Sequence, residues 1–162
     1  MNEQAARNLV AREAQLLDEK DWDAWLDLYT EDAVFWVPAW RSETELTTDP
    51  DRELSLMYLD GRRFLAERVH RVRSGRSIAS TPAPRTVHLV TGSIVDALGE
   101  GSVRVRSAWL TQVVDHKSGD VTHHAGRYDH TLVDSERGYR IARKTIAIAN
   151  DQICSQVDFF HI

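Results

Sequence analysis

The second half of the chain is the stretch that most restricts the fold. From Thr86 onward it reads as four extended segments, 86–96, 103–115, 121–133 and 139–149. They are joined at Ala97-Leu98-Gly99-Glu100-Gly101, Lys117-Ser118-Gly119-Asp120 and Asp134-Ser135-Glu136-Arg137-Gly138. Consecutive strands joined by short glycine-containing turns make an antiparallel meander. The apolar residues do not hold one phase along it: Val103 and Val105 share one, Leu110 and Val114 the other. Such a shift predicts a bulged sheet, or one covered on both faces.

The first half supplies what covers that sheet. Residues 3–19 predict a helix with Ala6, Leu9, Val10, Leu16 and Leu17 on its apolar side. Asp21 can cap a second helix, with Trp22, Trp25, Leu26 and Tyr29 on one face and an end near Thr30-Glu31-Asp32. AVFWVP follows as a short strand closed by Pro38. Four of the five tryptophans, Trp22, Trp25, Trp36 and Trp40, stand in these first 40 residues and read mainly as core. Arg41–Glu53 is a polar loop long enough to be a lid or a partner-binding arm. Leu56, Met57 and Tyr58 then lead into a third helix that Asp60 can cap and Gly75 can end. Its apolar stripe is Leu65, Val69 and Val72. The irregular stretch Ser77–Pro84 joins it to the meander. Helices first and a meander after them predict an α+β fold in one domain, residues 1–162, with the helices across the concave sheet face and the convex face left for another subunit.

Arginines dominate the third helix: Arg62, Arg63, Arg68, Arg71, Arg73, then Arg76. They make either a solvated basic face or a docking surface, for which guanidinium groups suit inter-chain ion pairs. Arg62, Arg68, Arg71 and Arg73 are the interface candidates, with Asp49, Asp51 and Glu53 as possible partners on a neighbouring copy. The whole-chain formal charge of −5 argues against nucleic acid as the partner. The polar N-terminus lacks a signal-peptide core and no apolar run is long enough to span a bilayer, which predicts a cytoplasmic protein without membrane contact. One cysteine, Cys154, rules out an internal disulfide and a cysteine-built metal site.

Four segments in order, DWDAWLDLYTEDAVFWVP, SLMYLDGRRFLAERVHRVRSGRS, PRTVHLVTGSIV and GYRIARKTIAIAND, resemble the small (beta) subunit of aromatic-ring-hydroxylating dioxygenases over nearly the whole chain. PAW followed by a Thr-Asp-Pro loop and SLMY is similar to the benzoate and anthranilate type. The resemblance implies a cystatin-like cone, as in scytalone dehydratase and ketosteroid isomerase, with the helices packed on a curved antiparallel sheet. It implies a hetero-hexamer of three alpha and three beta chains, so other copies of this chain are also partners. The alpha subunit would hold the Rieske 2Fe-2S cluster and the mononuclear iron. NADH would supply electrons through a reductase, sometimes via a ferredoxin, and O2 would be added to an aromatic carboxylate to give a cis-diol or catechol product. No cofactor, metal or catalytic residue is then expected in this chain, whose role is accessory. A Rieske centre needs two cysteines and two histidines, and His123 and His124, adjacent on a strand, point to opposite faces.

The alternative is a stand-alone cone-fold dehydratase, isomerase or cyclase. Asp32, Tyr58 and His88 fall in regions that could face the cone cavity, where an Asp–His pair and a tyrosine hydroxyl would suffice for acid–base chemistry.

Overall fold

The computed structural model describes residues 2–75, 83–150 and 157–162; Arg76, Cys154 and most of the Ser77–Pro84 connector lie outside them. In chain order the elements are α1 (Glu3–Glu19), α2 (Trp22–Leu26), β1 (Tyr29–Pro38), β2 (Ser55–Asp60), α3 (Arg62–Arg73), β3 (Arg85–Gly99), β4 (Ser102–Val114), β5 (Val121–Ser135) and β6 (Gly138–Ile148), followed by a 3-10 turn, Phe159–His161.

Local chemistry explains the helix ends. The Asn2 side chain accepts the Ala5 N–H at the start of α1, and Lys20, at φ 58°, returns its own N–H to Leu16 and Leu17 at the end. Asp21 caps α2 as expected, accepting from Ala24. That helix stops at Leu26 rather than near Asp32. Tyr29 instead opens β1 beside Ile141, and the Ile141 N–H donates to the Leu28 carbonyl at 2.8 Å. Sheet pairing therefore overrides a spacing that also suits a helix. The segment before α3 is likewise a strand, β2, with Met57 and Leu59 buried in alternation. Asp60 pairs with Val34 in that strand, so the cap position of α3 passes to Gly61, at φ 108° and without a side-chain bond.

The six strands form one sheet in the order β2-β1-β6-β5-β4-β3. The meander β3–β6 is antiparallel, as its turns require, but β1 joins β6 in parallel, so the sheet is mixed. Bulges at Thr91/Ile94 in β3 and opposite Thr131/Leu132, where β6 carries the extra residue Ala142, help bend it around the helices. Gly92, at φ 64°, supplies the conformation that the first of these needs. The β4 strand itself keeps one phase. Val103, Val105, Ser107, Trp109 and Thr111 all point to the helices and are buried. The apparent shift of phase arises because the inward positions turn polar while Leu110 and Val114 sit on the outer face.

α1 packs on β3, β4 and β6, and α3 on β1 and β2. Leu16, Leu17, Trp25, Tyr29, Phe35, Leu65, Leu132, Ile141 and Phe159 are fully buried between helices and sheet. Trp25 stacks on Phe159, with ring centroids 4.9 Å apart, which ties the chain's C-terminal turn into this core.

Candidate functional site

Two polar constellations lie inside the cone and one outside it. The first inner one centres on Glu13, on the buried side of α1. Its carboxylate accepts from Lys144 Nζ at 2.8 and 3.0 Å, from the Tyr29 hydroxyl at 2.7 Å and from Trp25 Nε1 at 3.2 Å. Burial opposes its charge, but the Lys144 ammonium overcomes that penalty and holds the carboxyl well below the usual carboxylate range. Lys144 also lies 4.2 Å from the centre of the Tyr128 ring. His130 Nε2, 3.5 Å from Glu13, is at the edge of bonding distance and makes no well-directed bond. Burial pushes its pKa down, which keeps it neutral. This cluster links α1, α2, β1 and β6. It is a keystone of the core.

The second inner constellation surrounds His88 on β3. Its Nδ1 lies 2.6 Å from Asp18 Oδ1, and its backbone N–H donates to Asp18 Oδ2 at 2.8 Å. Burial works against the Asp18 charge, and the two His88 bonds outweigh it, so the carboxyl sits below its ordinary value. Cross-strand register places His88, Thr111 and His124 in one row on the inner face. His161, from the C-terminal turn, approaches His124 with ring centroids 6.3 Å apart. Burial, helped by the neighbouring His124, lowers the His161 pKa to about 3.

Only one of the three residues of the stand-alone enzyme reading enters this row. Asp32 is exposed on β1, and the partner of His88 is Asp18. Tyr58 pairs with Trp36 on the outer face of the sheet, since the alternate residues Met57 and Leu59 point inward. His124 is buried and its neighbour His123 exposed, as adjacent strand positions demand. Asp18 was hidden in a helix that reads as ordinarily amphipathic. A charged residue in the apolar phase of α1, Glu13 between Val10 and Leu17, is a legible signal of the buried cluster.

The arginines of α3 divide. Arg62 donates to Asp27 and Glu31 at 2.7 and 2.6 Å, and Arg73 to Asp23 at 2.8 Å. Arg68 approaches Asp158 at 3.8 Å. Three of the four interface candidates are thus occupied by carboxylates of the same chain, while Arg71 is exposed. Glu53 and Asp49, offered as their partners, pair with Arg41 and Arg52 and help fold the 41–53 loop upon itself.

The outer face of β3–β5 carries a different surface. Val87, Leu89, Ile94 and Val121 are each about half exposed there, and the rows Leu89–Leu110–Ala125 and Val114–Val121 are continuous by register. Beside them runs an open groove of about 460 Å³ containing Arg104, Arg106 and Arg127. Asp129 takes Arg104 and Asp96 takes Arg106. Arg127 is exposed, with no ion-pair partner among the described residues. The edge of β3 is not free for strand addition: α1 claims the His88 N–H through Asp18 and the Ser93 carbonyl through Arg7.

Residues 12–155 match the model of a family described as ring hydroxylating beta subunit. The chain is 39% identical to the 2-halobenzoate 1,2-dioxygenase small subunit of Burkholderia cepacia, covering 94% of this chain and 92% of that one. It is 34% identical to the anthranilate 1,2-dioxygenase small subunit of Acinetobacter baylyi, over 98% and 96% of the two chains. The crystal structure of the benzoate 1,2-dioxygenase beta subunit of Burkholderia mallei superposes with a TM-score of 0.80 at 32% identity, covering 97% of this chain and 95% of that one. A protein of cystatin-like fold from Novosphingobium aromaticivorans, 18% identical with a TM-score of 0.63 over 93% and 83% of the chains, shares the fold. Continuous similarity across nearly the whole length, in sequence and in structure, makes this chain a member of the ring hydroxylating beta subunit family, the small subunits of aromatic-ring dioxygenases.

Proposed function

We propose that this chain is the accessory subunit of a dioxygenase acting on a benzoate- or anthranilate-like aromatic carboxylate, and that it docks a large catalytic subunit through the outer face of its sheet. The observation that carries the docking surface is the unpaired Arg127, which shares the outer groove with half-exposed Ile94 and stands on the same sheet face as Leu89. In the strand rows of this face four arginines, Arg85, Arg104, Arg106 and Arg127, stand against two aspartates, Asp96 and Asp129. A second copy docked face to face would bring like charges together, so the surface fits a partner that is apolar and acidic. An exposed apolar patch of this kind on a sheet face is otherwise an aggregation liability.

The residues of this chain do not fit the redox groups of such a system. The chain has a single cysteine where a Rieske cluster takes two cysteines and two histidines. Among the described residues no three His, Cys, Asp or Glu side chains are grouped to hold a metal. The iron centres, and the step that adds O2 to the ring, are assigned to the large subunit. A hexamer of three large and three small chains, fed by a reductase with or without a ferredoxin, completes the reading. Co-expression with the large subunit encoded in the same host tests it. The expected result is a stoichiometric, brown, iron-containing complex that hydroxylates a benzoate-class substrate. A colourless small chain that never associates would overturn it.

A further inference from the structure

The polar loop 41–53 forms one rim of the groove on the outer face of the sheet. Trp40 and Leu46 pair across its base, and the Thr47 N–H donates to the Ala39 carbonyl at 2.8 Å. Glu53 accepts the N–H groups of Thr48 and Asp49 at 2.7 and 2.9 Å, which draws the loop into a fixed shape. The Trp40 indole is anchored as well, donating through Nε1 to the Ile148 carbonyl at 2.7 Å. The opposite rim is the β3 bulge, where Gly92 and Ile94 border the same groove as Leu46.

Between the rims the floor is small and apolar around one cation. Strand register sets Arg127 between Ala108 on β4 and Ala147 on β6, so neither cross-strand neighbour reaches its guanidinium. A second open groove, of about 360 Å³, continues from Arg127 and Ala147 past Ala125 and Ala149 to Trp40. Arg104 and Arg106 are each matched by an aspartate. Among the described residues Arg127 is therefore the uncompensated positive charge of this groove. A concave site with apolar walls and few oriented polar groups is the usual form of a small-molecule pocket. A guanidinium fork meets a carboxylate through two parallel hydrogen bonds, and an alanine floor beside an indole suits a flat ring.

We infer that this outer groove binds an aromatic monocarboxylate, with its carboxylate on Arg127 and its ring on the alanine floor beside Trp40. One charge on the ligand answers one free charge in the groove. A neutral ring leaves Arg127 unanswered, and acetate leaves the alanines and Trp40 uncovered. Binding is a property of the small chain itself and goes beyond the proposed docking. A large subunit that takes Arg127 competes with the ligand for the same guanidinium.

Benzoate is the probe, and ¹⁵N NMR of the full-length chain is the readout, followed at the Trp40 indole N–H and the Arg127 Nε–H. Benzoate should shift both signals saturably, while acetate and benzyl alcohol each bind about tenfold more weakly or worse. Arg127→Gln, at an exposed position, should weaken benzoate binding by about tenfold or more. Ala147→Leu fills the floor but keeps the guanidinium, so it should weaken benzoate and leave acetate unchanged. No saturable shift at either signal would overturn the inference. Equal benzoate binding by wild type and Arg127→Gln would overturn it too, since the ring would then sit elsewhere. Equal affinity for acetate would reduce the groove to a plain anion site and overturn the aromatic class. The proposed docking fails separately: a complex indifferent to Arg127→Glu contradicts it and leaves the benzoate response of the wild type intact.

Discussion

Glu13 and Lys144, 131 positions apart in sequence, form an ion pair in which both side chains are fully buried and the ammonium reaches both carboxylate oxygens. Breaking such a pair from one side leaves a charge without compensation, which typically costs about 3–5 kcal/mol. Glu13→Gln should therefore lower the unfolding free energy by about that much in chemical denaturation, and Lys144→Met by a similar amount. The double variant Glu13→Gln/Lys144→Met should lose clearly less than the sum of the two, since no buried charge remains. Additive losses would show that the pair does not act as a unit.

Stability should fall as the pH drops from neutrality. His130, His124 and His161 all have folded-state pKa values lowered by burial, the last to about 3. Below their unfolded values, about 6.5, the unfolded chain takes up protons that the folded chain refuses, so stability rises with pH in this window. Glu13 and Asp18 are also lowered, and their contribution is present above the unfolded carboxylate range and lost as pH falls through the folded values. Thermal melts from pH 7 to 4 should thus show a decline that steepens below about pH 4.5, where the carboxylates join the histidines. His161→Gln should flatten the upper part of that slope, and a slope unchanged by the substitution would contradict the assignment.

Gly126 should not accept a side chain. A Cβ at this position would stand 1.9 Å from the Ala147 carbonyl oxygen on the paired strand, and a backbone atom cannot swing away. Gly126→Ala should destabilise the fold by about 1–3 kcal/mol, the usual cost of overpacking, and perturb amide exchange in β5 and β6. Gly119→Ala, in open space but at φ 79°, is the comparison: its effect should be confined to the turn.

The sequence made most of this architecture legible, for stated reasons. The meander was readable because each strand ends at a glycine turn, and its predicted bounds fall within about two residues of β3–β6 at most ends. α1 was readable from its stripe. The parallel pairing of β1 with β6 was not, because it joins segments about a hundred residues apart and leaves no local mark. The spacing predicts an α2 longer than the one that forms, because Tyr29 satisfies the helical spacing from Trp22 and Trp25 while also fitting the strand that it opens. Of the inner sites, His88 was found but its partner was misplaced. Asp18 looks like an ordinary charge of an amphipathic helix, and only the fold turns it toward His88. Lys144 had a legible sign, since it shares the inward phase of Ile146 and Ile148.

The docking account rests most directly on Arg127, and the measurement is the affinity of the small chain for its large subunit, read by co-purification across a salt series. Arg127→Glu should leave the small chain folded and weaken the complex by about tenfold or more, while the exposed α3 variant Arg71→Glu should change it little. A full-strength complex with Arg127→Glu, or one lost instead with Arg71→Glu, would contradict the outer sheet face as the interface and return that role to the arginine helix.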